Sequence, residues 1–218
     1  MDSPYINTKL YANVTLYPNQ MNNNVYLNLK KNLIENVLKK NYGSYGYIME
    51  VFEILSYDSN KIEAENTMSS AIYDVQFSCR LCKPLKDMKI ICQVDKLNKV
   101  LLRLKNGPIH MIITNDRINE TVFFKDNYRN LRYKSGEKSN VLTPGDFVKV
   151  NTLQLSFTAG DGDITGIGFL ENMASEAEIS AFYKEEYNNL DEFIDYEEFI
   201  KKKQEPKVEI LNNDETVE

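Results

Sequence analysis

The stretch from Ile90 to Ile118, IICQVDKLNKVLLRLKNGPIHMIITNDRI, constrains the fold most. Two apolar runs, Val100 to Leu104 and Ile109 to Ile113, flank Asn106-Gly107-Pro108. Glycine tolerates positive φ and proline has no amide donor for a ladder. The spacing therefore predicts two strands joined by a tight reversal. Residues N-terminal to the stretch mix helical and strand periods, and those from its end to about residue 170 are strand-like, so a second domain is expected to start here.

Before it, Tyr11 to Tyr17 alternates like a half-buried strand and stops at Pro18-Asn19. From Val25 to Leu38, Val25, Leu29, Leu33 and Val37 recur every four residues, with Ile34 and Leu38 widening the stripe into an amphipathic helix. Tyr47 to Leu55 is rich in β-branched and aromatic residues, and Ile72 to Leu81 alternates strictly. Strand, helix, strand, strand predicts an α+β domain over residues 1–84. After Pro84 the predicted strands are Met88 to Leu97, Val100 to Leu104, Ile109 to Ile113, Phe147 to Phe157 and Ile164 to Phe169. A short helical turn is expected at Thr114 to Ile118, a polar surface excursion over 119–143, and a hairpin turn at Ala159-Gly160-Asp161-Gly162-Asp163. Five strands with a long connection before the fourth have the rhythm of an all-β OB barrel over residues 85–173.

The remainder, 174–218, is expected to be an acidic tail, part helical and part disordered. Ala174 to Phe199 suits a helix with Leu190, Phe193, Ile194 and Phe199 as a narrow stripe, and disorder is expected from about Lys203. Two readings stay open for that helix: a partly ordered appendage, or an element that docks on a partner. The net charge of −6 divides into −10 for residues 171–218 and +4 for the rest. An acidic tail repels phosphate, so any nucleic-acid surface belongs on the body. No apolar run approaches the roughly 20 residues that span a bilayer, and the N-terminus lacks a signal pattern, so a soluble chain without membrane contact is expected. Three cysteines make no disulfide framework.

Few residue groupings point to chemistry. Cys79-Arg80-Leu81-Cys82 has CxxC spacing, but a tetrahedral metal needs two more ligands and only Cys92 and His110 remain. His110 is the sole histidine, with no recognisable nucleophile motif beside it. Gly43-Ser44-Tyr45-Gly46 has GxxG spacing without a basic residue, and Asp161-Gly162-Asp163 lacks the rest of a calcium loop, so both read as turns. Neither GxGxxG nor GxxxxGK[ST] occurs. The expectation is a noncatalytic chain with no metal and no cofactor.

Several segments match a known pattern in order and near spacing. They are Tyr45-Gly46-Tyr47-Ile48, Ile72-Tyr73-Asp74-Val75-Gln76-Phe77 with Lys83-Pro84, Val94 to Leu104 with Gly107-Pro108-Ile109, Gly145-Asp146-Phe147-Val148-Lys149-Val150, and Asp163-Ile164-Thr165-Gly166-Ile167-Gly168. Over residues 8 to 173 the chain resembles the larger stalk subunit of archaeal and eukaryotic DNA-directed RNA polymerases. The resemblance implies an N-terminal docking domain, an OB barrel of the S-one type, polymerase core subunits and a small helical stalk subunit as partners, and nascent RNA as ligand. By position the docking tip would include Ser59, Asn60, Lys61, Ile62, Glu63 and Asn66, although the family's tip is Gly-rich and this one is not.

Barrels of this kind bind single strands by stacking on aromatics beside basic residues. No aromatic occurs from Ile90 to Ile118. The RNA-contacting set is therefore expected to be polar: Lys99, Arg103, Lys105, His110, Asn115 and Arg117, with Lys125, Arg129, Arg132, Lys134, Tyr128 and Tyr133 in the excursion. The Asn, Lys, Ile and Tyr bias suits an AT-rich genome, of a large cytoplasmic DNA virus or of a protist. The corresponding locations are virion and host cytoplasm, or nucleus. A free-standing S-one-type factor of translation or RNA decay is the alternative reading.

Overall fold

A computed structural model describes residues 3–59, 69–98, 100–126, 130–135, 138–188 and 193–204. The N-terminal third is a four-stranded antiparallel sheet of β1 (Tyr5–Leu16), β2 (Asn41–Tyr42), β3 (Gly46–Ser59) and β4 (Ala71–Cys82), in the order β1-β4-β3-β2. The helix α1 (Val25–Val37) lies against β1 and β3. Its four-residue repeat is the reason: Leu29, Leu33 and Val37 are buried in one core with Val14, Leu16, Val75 and Phe77. Polar pins hold the helix in place, because Asn32 Nδ2 donates to Thr15 O at 2.9 Å and Lys30 Nζ to Phe52 O at 2.8 Å. Lys40 Nζ reaches the C-terminal carbonyl of Glu35 at 2.9 Å, where a helix welcomes a cation.

The second unit is a closed barrel. Its strands are β5 (Lys89–Leu97), β6 (Leu101–Asn106), β7 (Ile109–Thr114), β11 (Phe147–Ser156) and β12 (Ile164–Met173), in the order β11-β12-β7-β6-β5 with β5 pairing back to β11. Every neighbour is antiparallel except β7 and β12, which run parallel. Five strands closed in this way are consistent with an OB-like barrel, and they carry no unpaired edge. Ile90, Cys92, Val94, Leu104, Met111, Val148, Val150 and Leu170 are buried at its centre. At one end Thr152, fully buried, receives the Met88 amide on Oγ1 at 2.9 Å and donates that hydroxyl to Leu85 O.

The polar excursion is not simply a surface loop. It contains β8 (Phe123–Lys125), β9 (Leu131–Ser135) and β10 (Lys138–Val141), paired as β10-β9-β8. Phe123, Leu131 and Leu142 are buried beneath it. Strands of three to five residues carry too few alternations to stand out among Lys, Arg and Asn. The expected helical turn after β7 is a hydrogen-bonded turn, with Arg117 N donating to Thr114 O at 3.0 Å.

The tail holds two helices where one was expected, α2 (Glu176–Asn188) and α3 (Tyr196–Gln204). Leu190 lies outside the described residues. Phe193 and Ile194 are not helical: Ile194 N donates to Asn7 O at 2.9 Å beside edge strand β1, and the Phe193 ring meets Phe52 edge-on. Asp195 then starts a new helix, its Oδ1 accepting from Glu197 N at 2.8 Å. Helix α2 begins with a capping box in which Ser175 and Glu178 bond each other's amides. Glu178 also pairs with Lys149 of β11, while Tyr183 packs edge-on against Phe147 and Phe182 is buried.

The Glu178 pair gives an acid-dependent contact. Its hydrogen bond from Lys149, then that from the Ser175 amide, hold the Glu178 carboxyl down from about 4.5 to about 2. A carboxyl depressed by folding stabilises fully above its ordinary value and loses that stabilisation as pH falls through the folded value. Near-ultraviolet tyrosine dichroism is therefore expected to show α2 loosening between pH 4.5 and 2. In Glu178→Gln the step is expected to vanish; an identical step in both proteins would assign it elsewhere.

Candidate functional site

The β6-β7 hairpin presents the predicted cations. Lys105 stands directly opposite His110, and Arg103 opposite Ile112, so these four share the outer face while Leu104 and Met111 turn inward. The face is partly neutralised. Arg103 Nε lies 3.3 Å from Asp95 Oδ2, and His110 Nε2 lies 3.7 Å from Asp163 Oδ2. Lys105 is exposed and makes no ion pair among the described residues. His110 is only half-exposed, its buried Nδ1 has no partner among the described residues, and burial followed by the Arg103 charge lowers its pKa. It is therefore neutral at pH 7, with cationic neighbours on both sides.

The rest of the predicted set is distributed. Asn115 and Arg117 sit in the turn after β7, where Arg117 Nε is 3.7 Å from Asp116 Oδ2. Asn115 borders a cavity shared with Phe123, Phe124 and Lys125. In the excursion, Arg132 bonds Asp126 at 3.2 Å, and Lys134 and Tyr133 lie in β9. Lys99, Tyr128 and Arg129 lie outside the described residues, as do Asn60, Lys61, Ile62, Glu63 and Asn66 of the docking tip. Ser59 is the last residue of β3, opposite Tyr73.

Sequence reasoning missed the residues that join sheet to barrel. Tyr5 Oη donates to Asn106 Oδ1 at 2.8 Å, and Asn106 Nδ2 donates to Ile91 O at 2.5 Å. Asn41 meets the β11-β12 loop three times: its N donates to Asp161 O at 2.8 Å, its Nδ2 to Asp163 O at 2.5 Å, and Gly160 N donates to its O at 2.9 Å. Lys83, nearly buried, donates to Ser44 O and lies 4.4 Å from the centroid of the Phe157 ring. Asp163 thus connects Asn41 through its carbonyl to His110 through its carboxylate. Nothing in local periodicity marks Tyr5 or Asn41, since both partners are remote in sequence.

The CxxC pair packs as hydrophobe. Cys79 and Cys82 are three apart in one strand, so their side chains leave opposite faces, and both are fully buried. Burial pushes the Cys79 thiol up to about 12, far from a thiolate ligand. Among the described residues, no group of three His, Cys, Asp or Glu side chains is placed to hold a metal ion.

Sheet, barrel and cationic hairpin together define an OB-like barrel protein with a second β-sheet unit joined to it. No family model matches the chain. A protein of Acanthamoeba polyphaga mimivirus named as a DNA-directed RNA polymerase subunit is 34% identical over 180 residues, covering 83% of this chain and 88% of that one. The chain belongs to that family of viral DNA-directed RNA polymerase subunits.

Proposed function

We propose that this chain is a noncatalytic stalk subunit of a multisubunit DNA-directed RNA polymerase. Its units are a docking domain over 1–84, an OB domain of the S-one type over 85–173, and an acidic tail over 174–218. The observation that carries the reading is the junction. Tyr5, Asn41 and Asn106 hold the sheet rigidly against the barrel, as suits a part that docks at one end and projects at the other. The docking tip follows β3 at Ser59, and the core subunits near the clamp are its partners, with a small helical stalk subunit beside it. Virion and host cytoplasm are the locations that a viral polymerase implies. Affinity purification of the tagged chain from producing cells tests the reading: large polymerase subunits in stoichiometric amount are expected. Ribosomes or nucleases in their place would favour a free-standing RNA-binding factor.

The outer hairpin face contacts nascent RNA weakly, through phosphates. Arg103, Lys105 and a protonated His110 release counterions on binding, so affinity for a 20-mer RNA is expected to fall steeply between low and moderate salt. A phosphate beside His110 raises a pKa that burial and Arg103 lower in the free protein. Binding then takes up a proton, and affinity is expected to rise as pH falls from 7.5 through 6. Salt-independent binding, or a pH response unchanged in His110→Gln, would remove this face from the RNA path.

A further inference from the structure

A cavity of about 470 Å³ opens between the turn after β7 and the small sheet of β8 and β9. That is within the range of about 300–1,000 Å³ typical of small-molecule sites. Buried Phe123 and Leu131 line it, together with half-exposed Phe124 and the exposed Asn115, Glu120 and Lys125. We infer that it receives a single unstacked base of an RNA strand whose phosphates lie on the outer hairpin face, with the Phe124 ring as stacking platform.

The inference rests on the RNA-contact reading proposed for the hairpin and supplies what that reading lacks. Phosphate contacts position a strand but do not hold its bases, and the hairpin face has cations without an aromatic from Ile90 to Ile118. The cavity is the next feature along the same strand: His110 to Asn115 spans five residues, about 17 Å at the rise of a β-strand. Its chemistry suits a base. Phe124 offers a π-face, Lys125 a cation for the flanking phosphate, and Asn115 a side-chain amide. The Glu120 carboxylate repels phosphate yet accepts from an exocyclic amino group, so adenine and cytosine fit better than uracil.

The walls are also preorganised. Ile118 bridges Leu170, Asn119 N donates to Leu170 O at 2.9 Å, and Asn119 Nδ2 donates to Glu171 O at 3.0 Å. Phe123 N returns to Asn119 O at 2.9 Å, and Lys134 N reaches Val122 O at 2.9 Å. Little ordering is left to be lost when a ligand enters.

Fluorescence anisotropy with labelled decamers of A, C and U and the full chain tests this. The wild type is expected to bind A and C decamers several-fold tighter than U. Phe124→Ala and Phe124→Leu are expected to lose about tenfold, the scale of one base stack, while Phe124→Tyr keeps affinity. Glu120→Gln is expected to erase the preference for A and C. Full affinity in Phe124→Leu, or no base preference in the wild type, overturns the pocket while leaving phosphate contact intact. An unchanged Phe124→Ala does the same and, with reduced recovery of polymerase subunits, reassigns the cavity to a protein partner. A wild type that binds no RNA at low salt fails the RNA reading itself, which polymerase co-purification reports separately.

Discussion

Gly168→Val is expected to lower stability by about 3 kcal/mol or more, the upper range for overpacking a closed core. Gly168 stands opposite Thr152 in the β11-β12 pair. A Cβ there would lie 2.4 Å from Val150 Cγ1, 2.9 Å from Met111 Cε and 3.1 Å from the Asn151 carbonyl oxygen. The first two neighbours are side chains in a fully packed barrel, and the third is backbone in a paired strand, so none can retreat cheaply. A branched side chain adds two further carbons to that clash. The chain has 14 tyrosines and no tryptophan, so tyrosine fluorescence in urea reads the midpoint. A fall of the midpoint at unchanged slope is expected, and Val150→Ala combined with Gly168→Ala should recover part of it. An unshifted midpoint in Gly168→Val would mean that β12 does not approach β11 and β7 this closely.

The same strand shows what was legible in advance and what was not. Barrel strands alternate apolar and polar residues for five or more positions, and the stops at Asn106-Gly107-Pro108 and Gly160-Asp161-Gly162 are chemical, so strand number and order of appearance could be read directly. The helix α1 was legible for the same reason, since one face must be buried. Closure by a parallel β7-β12 pair is a long-range property with no local mark. The sheet in the excursion was missed because its buried residues, Phe123, Leu131 and Leu142, are scattered among cations. In the tail, the Asp195 cap separates two helices where composition alone suggested one. Of the predicted cations, Arg103, Lys105 and His110 do share a face, because they follow the period of two of the clearest strands. Their neutralisation by Asp95 and Asp163 depends on which strands end up adjacent, and no spacing reveals it.

Gly107→Ala is expected to loosen the barrel from the N-terminal sheet. Gly107 has φ +54°, a left-handed conformation that costs other residues about 1–2 kcal/mol. A Cβ would also stand 2.3 Å from Tyr5 Oη, which is buried and hydrogen-bonded to Asn106. Displacing that hydroxyl leaves Asn106 Oδ1 without its donor, at about 1–3 kcal/mol for a buried acceptor. The combined loss of about 2–5 kcal/mol falls on the contact that links the units. Tyr5→Phe alone is expected to cost only the hydrogen bond, and in Tyr5→Phe with Gly107→Ala the steric clash is gone. The double variant should therefore be more stable than the sum of the singles predicts. Strict additivity would show that Gly107 and Tyr5 do not touch. The segment between the units exposes Lys86, with Asp87 N held by Thr152 O at 2.7 Å. If the junction rather than the linker fixes the barrel, tryptic cleavage after Lys86 is expected to accelerate in Gly107→Ala while the barrel fragment stays resistant. Loss of the barrel fragment at the same rate would place the damage inside the hairpin instead.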